Sequence, residues 1–496
     1  MTSTEIHAPC GRLAGTIDRG IARYLGIPFA AEPWGHRRFR APEPAASWDG
    51  VRQATTAGPG SLQPTLDPNG KIDAYYNPRV QGHDCLNLNV WTPDPGGSGL
   101  PVMVWIHGGG YISGGGAVPA HDGWTWARDG VVYVSINYRL SVEGFLYLGE
   151  GTANLGLLDA IAALRWVQDN IAAFGGDPGN VTIFGQSGGA VSVVNLLAMP
   201  SAAGLFRRAI SQSGSTEGTA SIELAERITA RFAEIVHRKP IAEDLATVPD
   251  AEMLAAVVAI VLEYQIPSMW GAESFMISPF RSVVDGDTLP DRIPTCVERG
   301  ASATVDLMAG ATRDECTFLM LPLGMLETVD EAWQKMALDA FGLSRERLER
   351  YEEIRPGADE AELMAAAWTD WAFRIPTLRL VEEHSRQGGR SYTYDFTWPS
   401  PVPRVGAAHA LECPFVNDSL DVAKEALTEP ADLLGRTPPQ ALADRMHKAW
   451  IDFAATGDPG WAPFDTDKRV TMRFDVDSGP VDDLVGAERA IWDGIR

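Results

Sequence analysis

Two kinds of apolar pattern alternate along the middle of the chain. "LPVMVWIHGGG" (100–110) and "VVYVSINYRL" (131–140) open as runs with almost no polar interruption, the mark of strands buried on both faces. Residues 154–173, "NLGLLDAIAALRWVQDNIAA", put Leu157, Ile161, Leu164 and Ile171 at helical spacing and predict an amphipathic helix. "VTIFG" (181–185) reads as the next strand and runs into a helix; "VDLMAG" (305–310) and "SYTYDF" (391–396) read as later strands. This alternation predicts an α/β fold with a large, mostly parallel central sheet flanked by helices. Residues 1–60 read as a small antiparallel region of short strands and turns. Residues 221–275 and 326–386 read as helical insertions, of the kind that form lids and pocket walls over a sheet edge. With no internal repeat and no low-complexity tract, residues 1–496 are expected to form a single domain.

Composition narrows the function. A formal charge of −24 opposes binding to nucleic acid and to anionic membrane surfaces, and its simplest consequence is solubility. The longest apolar stretches, such as "MLAAVVAIVL" (253–262), are too short to span a bilayer. The first residues lack a basic segment followed by an apolar run, so no secretory signal is expected. Five cysteines, Cys10, Cys85, Cys296, Cys316 and Cys413, are scattered without a CxxC pair. Neither a disulfide framework nor a zinc site is expected, and reduced thiols in the cytoplasm fit the count. No metal, phosphate-loop or nucleotide signature stands out. The expected partner is a small molecule bound without a cofactor, by a monomer or small homo-oligomer.

Candidate chemistry lies at Gly185-Gln186-Ser187-Gly188-Gly189. A serine hydroxyl needs a base to become a nucleophile, and it must project into a cleft. A strand–turn–helix holding the serine in strained geometry, with glycines at −2 and +2 to relieve crowding, achieves this. "HGGG" (107–110) follows an earlier strand, and side-chain-free residues there let backbone amides approach an oxyanion. The expected donors are Gly109, Gly110 and Gly188. His107 reads as a residue that orders the glycine loop, not as the base.

Four further segments carry a resemblance. "YLGIPFAAEPWGHRRFRAPEP" (24–44), "DCLNLNVWTP" (84–93), the stretch 154–189 and "FAATGDPGWAPF" (453–464) resemble signatures of the type-B carboxylesterase family, the cholinesterase-like branch of the α/β-hydrolases. The similarity runs almost end to end and is strongest to bacterial members of the p-nitrobenzyl esterase type. It implies a serine esterase with a Ser-His-Glu triad. The family's acid segment matches "GATRDECTF" (310–318), giving Glu315, with Asp314 as the neighbouring alternative. Its histidine segment matches "GAAHALECPF" (406–415), giving His409. Ser187 then attacks an ester carbonyl, His409 takes and returns the proton, and Glu315 fixes the imidazole tautomer. Ser213 matches a position that supports the acid.

Departures from the pattern matter as well. Gln186 stands where the family usually has glutamate and is expected to lower the pKa of His409. Gly188 replaces a common alanine. Ser61 stands where many secreted relatives carry the disulfide partner of Cys85's counterpart. No tryptophan lies between residues 49 and 90 to act as a platform for choline. "MWGAESFMISPF" (269–280) matches the acyl-side region, which nominates Trp270, Phe275, Met276 and Phe280 as pocket wall. The implied substrates are uncharged, fairly hydrophobic esters. Aryl carbamates or activated amides are the alternative with the same triad, and a non-catalytic binding role is a third reading.

Overall fold

The uninterrupted apolar runs become the middle of one large sheet in the computed structural model, which describes residues 2–65, 75–426 and 432–495. The strands are β1 (Thr2–Ala8), β2 (Gly11–Asp18), β3 (Ile21–Pro28), β4 (Val51–Gln53), β5 (Asn87–Thr92), β6 (Leu100–Ile106), β7 (Val132–Ile136) and β8 (Gly176–Gln186). They continue as β9 (Arg208–Gln212), the short pair β10 (Thr219–Ala220) and β11 (Ser282–Val283), then β12 (Asp306–Thr312), β13 (Ser391–Phe396), β14 (Thr471–Phe474) and β15 (Gly479–Val481). The 13-stranded sheet runs β1-β2-β3-β5-β7-β6-β8-β9-β12-β13-β14-β15, with β4 on β2. Successive pairs from β1 to β7 (β1-β2-β3-β5-β7) are antiparallel, successive pairs from β7 to β14 (β7-β6-β8-β9-β12-β13-β14) are parallel, and β15 closes the sheet antiparallel to β14.

Both faces of the central strands β6 and β7 are dry, so these strands carry no alternating polar face. On β6, Val102, Val104 and Ile106 join the core that includes Leu157 and Leu164, while Met103 and Trp105 join the opposite core with Trp450 and Phe453. The helix Leu155–Asn170 differs from the amphipathic prediction: most of its residues are buried, Asp159 among them. Asp159 tolerates this because Arg139 grips both its oxygens, Nε to Oδ2 at 2.8 Å and Nη2 to Oδ1 at 2.7 Å. The first insertion carries helices Ile222–Ile235 and Asp250–Tyr264. The second carries Glu331–Phe341, Glu360–Thr369 and Ile375–Arg386, the last two joined by a π-helical turn at Asp370–Arg374. Among the described residues no single helix is long and apolar enough to cross a membrane.

Parallel pairing has a positional consequence. Ile106 aligns with Gly185, Gly185 with Ser211, and Gly310 with both Gln212 and Tyr394. The segments leaving β6, β8, β9 and β12 therefore emerge in that order along the carboxyl edge, where α/β sheets place their sites.

Candidate active site

Ser187 sits between the end of β8 and the helix Gly188–Ala198, with φ 55° and ψ −123°. A non-glycine residue adopts this left-handed backbone only when its surroundings impose it. Here the Ser187 N–H donates to Gln212 O at 2.9 Å, and its carbonyl accepts from Val191 N at 2.8 Å. The flanking glycines are required by close approach. A Cβ on Gly185 would lie 2.6 Å from Ile106 O, and one on Gly189 2.0 Å from the same atom. The turn is pressed against β6, and only bare backbone fits.

The glycine loop after β6 faces this turn. Gly109 and Gly110 take φ of +106° and +61°, and a Cβ on Gly188 would be 3.1 Å from Gly110 N. Gln63 holds the far side of the loop, accepting from Gly114 N and donating to Gly114 O, both at 2.8 Å. Among the described residues, the amides of Gly109, Gly110 and Gly188 donate to no acceptor. His107 stacks on Tyr138, ring centroids 4.4 Å apart, and its Nδ1 donates to Gly108 O at 2.9 Å. Burial drives its pKa down to about 3 against that hydrogen bond, so it stays neutral and orders the loop.

Glu315 and His409 meet beside the turn. Glu315 has no exposed surface; its Oε1 accepts from Thr312 N at 2.7 Å and its Oε2 accepts from His409 Nδ1 in a short hydrogen bond. With the proton fixed on Nδ1, Nε2 carries the lone pair, and Gln186 Nε2 donates to it at 3.1 Å. Ser187 Oγ makes no hydrogen bond to the imidazole in this conformer; the residue preceding it does. Phe373 and Phe318 border the ring, at centroid distances of 5.2 and 5.9 Å. Burial pulls the His409 pKa down, but the charge and hydrogen bond of Glu315 outweigh it, and the net shift is upward. Glu412, three residues on, is wholly buried, with Oε2 unpartnered among the described residues and Oε1 3.5 Å from Gln212 Nε2. Burial first, and the nearby Glu315 charge second, raise its pKa to about 7.

A strained serine, three unclaimed amides and an acid-held imidazole share one sheet edge. The model of the carboxylesterase family matches residues 2–484. The chain belongs to the carboxylesterase family. It is 35% identical to the para-nitrobenzyl esterase of Bacillus subtilis (strain 168), over 96% of this chain and 95% of that protein. It is also 35% identical to the phenmedipham hydrolase of Pseudarthrobacter oxydans, over 92% and 91%. A Geobacillus stearothermophilus carboxylesterase superposes with a TM-score of 0.85 at 36% identity, covering 99% of this chain and 100% of that one. A solved PNB esterase gives 0.83 at 33% identity, again over 99% and 100%. The carboxylesterase is thus an α/β-hydrolase that hydrolyses carboxylic esters.

Several expected positions of the carboxylesterase need correction. Asp314, the alternative acid, turns away from the imidazole and pairs with Arg355 at 2.6 Å. Ser213 takes φ +57° and donates its N–H to Gly310 O at 2.8 Å, but its Oγ finds no partner among the described residues; the acid is supported by the Thr312 amide instead. Three of the four nominated pocket residues are core. Phe280 has no accessible surface, Phe275 packs among Trp333, Phe341 and Trp368, and Trp270 packs on Tyr264 under Arg227. Met276 is half-buried, and its neighbours Ile277 and Ser278 are the side chains that reach toward Gly110. Phe373 escaped the sequence reading because nothing local marks it; Phe318, three residues after Glu315, could have been found from that spacing.

Proposed function

We propose that this carboxylesterase hydrolyses uncharged, fairly hydrophobic esters through an acyl-enzyme on Ser187, with His409 as base and then acid, Glu315 as its orienting carboxylate, and Gly109, Gly110 and Gly188 as oxyanion donors. The observation that carries this reading is that His409 Nδ1 is tied to Glu315 while Nε2 faces the serine turn. For attack, the Ser187 hydroxyl replaces the Gln186 amide at Nε2, a rearrangement of two adjacent side chains. Hydrogen bonds of catalytic groups commonly tighten only with substrate bound. The tetrahedral intermediate's oxygen takes the three amides, whose strength comes from having no competing acceptor. The imidazolium formed meanwhile is stabilised by Glu315 and protonates the departing alcohol; water then repeats the sequence on the acyl-enzyme. A preference for apolar substrates is supported by Phe318, Leu321 and Leu323, which stay 41–56% exposed in the segment after Glu315. The five cysteines stand as free thiols, and we assign the enzyme to the cytoplasm.

The test is a panel of p-nitrophenyl esters of increasing acyl length, a choline ester with its neutral isostere, aryl carbamates including phenmedipham, and anilides. We expect kcat/KM to rise with apolar size and to favour the neutral isostere over choline. A preference for the cation, or for carbamates over every ester, overturns the substrate reading.

Gln186 sets a second expectation. Its N–H donates to the lone pair of neutral His409 and opposes an added proton there, whereas a carboxylate would accept from, and attract, the protonated ring. Activity requires neutral His409, so its acidic limb marks where the ring protonates. In Gln186→Glu that limb moves to higher pH, measured as kcat/KM against pH. A limb that stays put or moves down rejects the role given to the amide.

A further inference from the structure

Two acids stand side by side after β12, and only Glu315 faces the base. We propose that Asp314 is a positioning residue: it stitches the loop that carries Glu315 to the loop that carries His409, with Arg355 of the helical insertion as its clamp. The inference rests on the assignment of Glu315 and His409 given above.

The stitch is reciprocal. Asp314 N donates to Ala407 O, and Ala407 N donates back to Asp314 Oδ2, each at 2.9 Å. The same two loops meet again at the Thr317 hydroxyl, 2.7 Å from both Asp314 O and Val405 O. Between them Gly406 takes φ +62°, and a Cβ there would lie 2.4 Å from Asp314 Oδ2, so the approach depends on a bare backbone. The other oxygen, Oδ1, accepts from Arg355 Nη1 at 2.6 Å, and Arg355 Nη2 donates to Arg313 O at 3.2 Å. Arg313 Nε adds a contact to Oδ2 at 3.1 Å. Arg355 follows the short helix Tyr351–Ile354, inside the second insertion.

Placement gives this ring of bonds its consequence. Glu315 directly follows Asp314, and His409 lies two residues beyond Ala407. Fixing Asp314 to Ala407 therefore fixes the separation of the two residues that share the Nδ1 hydrogen bond, with almost no slack chain between. The residue after His409, Ala410, takes φ +64°, so this segment holds an unfavourable backbone that its bonds must maintain. Asp314 can do this while ionised: burial would raise its pKa, but Arg355 and Arg313 hold the carboxyl below the usual range. The helical insertion is thereby connected, through one guanidinium, to the geometry of the catalytic pair.

The test compares Asp314→Ala, Asp314→Asn and Arg355→Gln in the full-length enzyme, with Glu315→Gln as control. We expect kcat to fall roughly 10²-fold in Asp314→Ala with KM within about twofold, the cost of an ångström-scale misplacement. Asp314→Asn keeps an acceptor for Ala407 N–H and recovers part of the loss; Arg355→Gln falls between. The decisive readout is the low-field proton NMR signal of His409 Nδ1–H, identified by its disappearance in Glu315→Gln. It should move or broaden in Asp314→Ala and Arg355→Gln. An unmoved signal overturns the inference, as does full kcat per folded molecule. Should Asp314→Ala fail to fold, Asp314→Asn and Arg355→Gln decide by the same two measurements. If Glu315→Gln itself remains active, the assignment of the acid fails; if it is inactive while the Asp314 and Arg355 variants behave as wild type, the stitch alone fails.

Discussion

Replacing Ser187 by alanine is expected to lower kcat by roughly 10⁵- to 10⁶-fold, the scale seen where a triad works as a unit. The fold should scarcely notice. Alanine keeps the Cβ, the backbone bonds to Gln212 O and Val191 N remain, and the lost hydroxyl makes no hydrogen bond to the His409 ring, whose Nε2 is held by Gln186. Stability should stay within about 0.5 kcal/mol of wild type, read as the thermal midpoint. A residual acceleration over water, roughly 10³- to 10⁴-fold, should survive through the three amides and substrate binding. An organophosphate should label the wild type once per chain and the variant not at all. Turnover or labelling that persists in Ser187→Ala would remove Ser187 from the mechanism.

The sequence made this serine legible because its requirement is local. The turn needs glycine where β8 presses on β6, and those glycines sit two residues either side of the nucleophile. The parallel strands β6, β7, β8 and β12 were equally readable, since burial on both faces leaves an almost unbroken apolar run. β9 was not, although it lies between β8 and β12. Its five residues begin with Arg208 and end with Gln212, and both are buried because distant groups satisfy them: Ala454 O accepts from Arg208 at 2.8 Å and Trp450 Nε1 donates to Gln212 at 3.1 Å. A polar residue buried by tertiary partners has no local signature. The pocket failed for the converse reason. Trp270, Phe275 and Phe280 are apolar like any cavity wall, and hydrophobicity does not distinguish a side chain facing a void from one packed against other rings. The choice between Asp314 and Glu315 likewise depends on which way a loop turns after β12, which only the packed sheet edge decides.

Glu315→Gln is the sharpest test of that choice, and we expect kcat to fall about 10⁴-fold, some 5.5 kcal/mol of transition-state stabilisation. The two oxygens of Glu315 have separate duties. Oε1 accepts from the Thr312 amide, a donor that cannot change, while Oε2 accepts from His409 Nδ1–H. An amide in this position keeps its oxygen toward Thr312 and turns its NH₂ toward the imidazole. Nδ1 must then accept, the proton moves to Nε2, and the ring can no longer take the serine proton. Gln186 compounds the error, because its N–H now meets an N–H at Nε2 and the carboxamide must turn over to present Oε1. The loss should therefore appear in kcat with little change in KM, since Glu315 and Thr312 are fully buried and offer no surface for substrate to bind. Combining Glu315→Gln with Ser187→Ala should cost scarcely more than Ser187→Ala alone, as members of one unit do. Activity within tenfold of wild type would show that another group holds the imidazole, and the orienting role of Glu315 would have to be abandoned.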